Sequence, residues 1–161
     1  MALMEAADIA YWFDELARGL ALYARQICGA GAEDVVQEVF LRFSGLPRRP
    51  DAPRAWLLTA VRHAALDHRR GERRRATRER GAVAREAFET AVSGLESQEV
   101  EDALKALALE EREVVTLRIW NGATFEEIAG VTGMPLSTVY HKYRTALETM
   151  RARWEAPCRR K

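Results

Sequence analysis

The sequence predicts an all-α protein made of two small helical domains joined by a charged linker. Three observations predict it. Ala, Leu, Arg and Glu, all good helix formers, dominate the 161 residues. Apolar residues recur at three- and four-residue spacing, with almost no strand-like alternation. Two such helical stretches, 5–75 and 97–156, flank a linker at 76–96, which lies within the charged, alanine-rich and weakly periodic run Gly71–Gln98. A hydrophobic content of 48% is enough for a core in each domain.

The first helix is expected over Ile9–Ile27. Ile9, Phe13, Leu16, Leu20, Tyr23 and Ile27 share one face, and Gly29-Ala30-Gly31 breaks it. A second helix should run from Glu33 to Phe43, with Val36, Val39, Phe40 and Phe43 as its apolar side. Its other side is a stripe of Asp34, Gln37, Glu38 and Leu41, an acid-rich row that ends on an apolar residue. Gly45, Pro47, Pro50 and Pro53 force a loop. A third helix starts near Arg54, carries Trp56, Leu57, Ala60, Val61, Ala64 and Leu66, and runs into arginines as far as Arg70.

In the second domain Val100–Leu109 and Glu110–Trp120 read as helices, the latter capped at Asn121-Gly122. Thr124 and Glu127 form the T-x-x-E capping box of a short helix, Phe125–Val131, which turns at Thr132-Gly133. A last helix begins around Pro135–Ser137 and reaches about Trp154. TFEEIAGVTGMPLSTVYHKYRTALETM thus has the form of a helix-turn-helix. Phe125, Ile128 and Ala129 should be buried by its first helix; Val139, Tyr143, Ala146, Leu147, Met150 and Trp154 form the apolar face of its second. That leaves Ser137, Thr138, Tyr140, His141, Lys142, Arg144 and Thr145 for DNA. Ser, Thr and Lys suit phosphates, and His, Lys and Arg can donate to base edges.

The charges are segregated behind a net charge of +1. Positions 1–45 carry seven acids against three bases, and 62–80 carry eight arginines against three acids. Positions 96–127 carry nine acids against three bases, and 136–161 seven bases against two acids. This alternation implies anionic and cationic partners at different places. Cys28 and Cys158 lie far apart with no CxxC spacing and three histidines in all, so no zinc site or disulfide framework is expected. No paired carboxylates, nucleophile-base set or phosphate loop argues for an enzyme. No cofactor and no membrane insertion are expected, and the chain reads as cytoplasmic. The tail Pro157–Lys161 reads as disordered.

AEDVVQEVF, PRAWLLTAVRHAALDHRR and LEEREVVTLRIWNGATFEEIAGVTGMPLSTV, in this order and spacing, resemble a bacterial RNA polymerase sigma factor of the extracytoplasmic-function (ECF) type. The resemblance implies sigma domain two at 5–75 and sigma domain four at 97–156. It implies that Asp34, Gln37, Glu38 and Leu41 dock on the clamp helices of the largest polymerase subunit, and that the flap is a further contact. Arg62, His63, Asp67, Arg69 and Arg70 would face the upstream melted promoter element, and Arg48, Arg49 and Asp51 in the loop Pro47–Arg54 would select a flipped base. Promoter DNA, core polymerase and an anti-sigma factor are the implied partners. The sequence departs from the family at His63, where asparagine is usual, and in a shorter loop. It also departs at Tyr140 and Thr145, where basic residues are common, which implies weaker phosphate anchoring and a different promoter sequence. A stand-alone helix-turn-helix regulator, and a sigma-like protein that binds polymerase without opening promoters, are the alternatives.

Overall fold

The computed structural model describes residues 4–78 and 98–156, with side chains as far as Arg75 in the first stretch. Within these residues all regular structure is helical: α1 (Ala6–Cys28), α2 (Ala32–Ser44), α3 (Pro53–Arg78), α4 (Gln98–Lys105), α5 (Leu109–Ile119), α6 (Phe125–Thr132) and α7 (Leu136–Glu155). The chain divides into two compact units, one holding α1–α3 and the other α4–α7. Of the expected linker 76–96, the first three positions continue α3 and the rest lie outside the described residues, as does the tail 157–161.

In the first unit each of the three helices packs on the other two. Leu16, Leu20, Tyr23 and Ile27 of α1 meet Val36, Val39, Phe40 and Phe43 of α2 and Leu57, Leu58, Val61 and Ala65 of α3, all buried. Burying one such aliphatic side chain contributes about 1.5–3 kcal/mol, so this shared core outweighs any single cap or surface pair. Phe13, expected in the core, is 47% exposed. It lies in the N-terminal half of α1 and meets Phe40 edge-on, at 5.0 Å between ring centroids.

The Gly29-Ala30-Gly31 break is a single 3-10 turn between α1 and α2. Gly29 ends α1 at φ +67. At Gly31 a Cβ would collide with the His68 ring of α3, so the absence of a side chain lets α3 approach the turn.

Two expected boundaries are corrected. Gly71 does not stop α3, which continues to Arg78. Arginine and glutamate flank the glycine with high helix propensity, and Glu72 pairs with Arg75 one turn on at 3.4 Å; together they offset the roughly 1 kcal/mol that a mid-helix glycine costs. The helix expected over Val100–Leu109 ends at Lys105. Leu107 turns inward and is buried, and Ala108 adopts an extended conformation (φ −61, ψ 154). Glu111 reaches back to accept the Ala108 N–H at 3.3 Å, restarting the chain as α5.

In the second unit α5, α6 and α4 all pack against α7. Gly122 takes φ +61 after α5, and the buried Asn121 Nδ2 donates to the Thr116 carbonyl at 3.0 Å. The α6 capping box forms in both directions: Glu127 N donates to Thr124 Oγ1 at 3.0 Å, and Thr124 N donates to Glu127 Oε2 at 2.9 Å. Gly133 closes α6 in the left-handed region at φ +75, its N–H donating to the Ala129 carbonyl at 2.9 Å. This tight turn starts α7 across α6.

Candidate binding surfaces

The α2 stripe stands on a solid base. Val35, Val36, Val39, Phe40 and Phe43 are buried, so the helix cannot rotate, and Asp34, Gln37, Glu38 and Leu41 all face solvent. Glu33 and Asp34 lie in the first turn, where carboxylates also favour the helix dipole. Leu41 is different: it is 73% exposed, the most exposed large apolar side chain among the described residues, and hydration gives it no reason to be there.

On α3 the expected residues separate into two rows. His63, Asp67 and Arg70 are exposed at positions 0, 4 and 7 of a single ridge, and Arg74 continues it. Arg62 and Arg69 are half-buried on its flank. Asp67 holds Arg70 at 3.6 Å, both largely in solvent, a pair worth no more than about 1 kcal/mol. Trp56 packs on Phe43 with ring centroids 5.5 Å apart and buttresses α3 from inside. In the preceding loop Arg48 and Asp51 are exposed, whereas Arg49 is tied to Asp8 of α1 at 3.2 Å. Arg73, Arg74 and Arg75 are exposed extensions of the same helix. Their signal was the arginine run itself, obscured by taking Gly71 as the helix end.

On α7 the polar residues also fall into rows. Ser137, His141 and Arg144 are exposed and three or four apart, so they form one line away from the core residues Val139, Ala146 and Met150. Thr138, Lys142 and Thr145 form a second, half-buried line beside it. Lys142 Nζ is held by Glu110 Oε2 of α5 at 2.7 Å. Hydrogen bonding to Glu110 raises the Lys142 pKa above its ordinary value, burial opposes this, and the charges of Glu110 and Glu111 add to it. Tyr140 lies on the opposite flank, its ring 4.4 Å from that of Phe125. Phe125 also meets Tyr143 edge-on at 5.2 Å and carries the Arg118 guanidinium 4.6 Å above its face. Leu147 and Trp154, expected in the apolar face, are 37% and 55% exposed because α5 and α6 do not cover that side of the helix. Glu148, four residues after Arg144, is exposed at the end of the Ser137 line. Its three- and four-residue spacing was readable, but the basic count of the segment hid it.

Comparison with known proteins gives these surfaces a setting. A family model for Sigma-70 region 2 matches residues 12–75, and one for Sigma-70 region 4 matches residues 97–150. The two regions in this order, one on each helical unit, are the layout of a sigma factor. Among curated relatives, the ECF RNA polymerase sigma factor SigL of Mycobacterium tuberculosis is 33% identical over 93% of this chain and 90% of its own length. SigK of Mycobacterium ulcerans is 29% identical over 83% of this chain and 78% of its own. The sigma factor RpoE of Bartonella quintana, solved with the anti-sigma factor NepR, shares the fold with a TM-score of 0.70 and 21% identity, covering 94% of this chain and 99% of that one. The chain belongs to the ECF-type RNA polymerase sigma factors. It is a transcription initiation factor that directs RNA polymerase to promoters, which sets aside the stand-alone regulator. No described helix is long and apolar enough to cross a membrane.

Proposed function

We propose a division of labour among the three surfaces. The α2 stripe of Asp34, Gln37, Glu38 and Leu41 docks on core polymerase, on the clamp helices of its largest subunit. The exposed Leu41 beside two carboxylates carries this reading, because an apolar group among acids gains from burial against a protein and gains nothing beside DNA. The α3 surface, with Arg62, His63, Asp67, Arg69 and Arg70, holds the melted upstream element, where cations neutralise the backbone and flat groups receive unstacked bases. The α7 line lies in the major groove of the upstream duplex element, with the first-turn N–H groups of α7 available to a phosphate. Domain two spans 5–75 and domain four 97–156, with contact to the flap as a further polymerase anchor. The factor is non-catalytic and works in the cytoplasm. The neighbour solved with NepR supports an anti-sigma factor as a further partner.

The test is capture of core RNA polymerase by the tagged full chain. Asp34→Lys with Glu38→Lys should abolish capture while leaving the helical circular dichroism unchanged. Full retention of polymerase would move docking away from α2. Run-off transcription with the same reconstituted complex then separates a promoter-opening factor from one that only binds polymerase.

A further inference from the structure

Between Leu136 and Thr145 the cations of α7 are Lys142 and Arg144. Two helical residues two positions apart point about 200° apart, so they cannot both face one groove. With Ser137, His141 and Arg144 facing outward, Lys142 is turned toward α5, where its ammonium meets Glu110 at 2.7 Å. The Lys142 side chain retains 26% of its exposure and Glu110 56%, so the pair sits at the rim of the α5–α7 packing and can open without disturbing the core. Glu111 adds a second negative charge nearby.

We propose that Glu110 tunes the DNA affinity of this factor: it draws Lys142 onto α5 and so withdraws one cation from the phosphates that flank α7. The inference rests on α7 being the DNA-facing helix. Lysine is a compact charge on a flexible four-carbon stem. Released from Glu110, the Lys142 ammonium swings outward to the edge of the groove, where the phosphate backbone runs. Lys142 as found is a positioning residue that joins α7 to α5, and Arg144 is the cation left for DNA in this half of the helix. Glu110 thereby deepens the weak phosphate anchoring that Tyr140 and Thr145 imply.

The salt dependence of binding counts phosphate contacts directly, because each neutralised phosphate adds about 0.9 to the slope of log affinity against log salt. The measurement uses the full chain bound to core RNA polymerase, on a duplex that the same complex recovers from a randomised pool. Glu110→Gln should steepen the slope by about 0.9 and tighten binding at low salt. Lys142→Met should leave the slope unchanged, and the double variant should match the unaltered protein. A flattening by about 0.9 for Lys142→Met alone would overturn the proposal, since Lys142 would already be on a phosphate. An unchanged slope for Glu110→Gln would overturn it as well. Arg144→Ala is the control for the underlying reading and should flatten the slope; if it does not, α7 is not the DNA-facing helix, and the proposal falls with that assignment.

Discussion

Cys28 ends α1 half-buried, and burial pushes its thiol up to about 11, against a smaller lowering by a backbone hydrogen bond. In the unfolded chain the same thiol ionises near 8.5. Between those values the unfolded chain releases a proton that the folded chain keeps, so this group favours unfolding as pH rises through the window from about 8.5 to 11 and has no effect at neutral pH. Its thiolate is correspondingly scarce in the folded protein. Iodoacetamide at pH 8 should modify Cys28 at least about tenfold more slowly in the native chain than in urea, with peptide mapping to separate it from Cys158. Equal rates would show that the site is open. At this scale much was hidden in the sequence. Glu110 and Lys142 are too far apart along the chain for any local pattern to join them. The collision that excludes a side chain at Gly31 depends on His68, which only the packing of α3 brings to the turn. The Phe125–Tyr140 contact likewise depends on the angle between α6 and α7. What could be read locally was the Thr124–Glu127 box, because both partners lie within four residues.

The helices themselves were legible wherever periodicity ended in a strong stop. The α2 core face of Val36, Val39, Phe40 and Phe43 is buried as its spacing required, between glycines at 31 and 45. Reading failed where a weak stop was taken for a strong one, or a real stop had no marker. Gly71 is the first case, since neighbouring residues outweigh its propensity. Ala106–Ala108 is the second, since three helix-compatible residues leave the helix so that Leu107 can enter the core. The first case gives a direct test. Gly71 is helical and a Cβ there would meet nothing within 4 Å. Gly71→Ala should therefore stabilise the chain by about 0.5–1 kcal/mol in urea denaturation, whereas a loss of stability would argue for a non-helical Gly71 in solution.

At the scale of the molecule the segregated charges proved the more useful guide than the net value. Acidic α2 precedes the arginines of α3, and acidic α4 and α5 precede basic α7. The division into two helical stretches was read from the weakly periodic run Gly71–Gln98, while the pairing of individual charges was not legible. Recruitment and opening should also separate. Arg69→Ala with Arg70→Ala should leave capture of core polymerase intact, reduce run-off from a closed duplex promoter at least about tenfold, and regain transcription when the template carries a pre-opened bubble. A bubble that restores nothing would place these arginines outside the opening step.

The exposed line of α7 has a measurable length. From Ser137 to Arg144 it spans eight residues, seven steps of 1.5 Å and so about 10 Å along the axis. In the proposed docking, Glu148 would then meet the approaching backbone with a negative charge. At about 3.4 Å per base step, that line, docked as proposed, would address about three base pairs, an address shared by roughly one site in sixty-four. A genome holds on the order of a million or more competing positions, so so short an address leaves most of the search unresolved. On the proposed division of labour, the remaining information comes from a second reading, made where strands separate. If α3 holds the melted strands as proposed, opening DNA and finding the right place to open it are parts of one act of decoding for this chain.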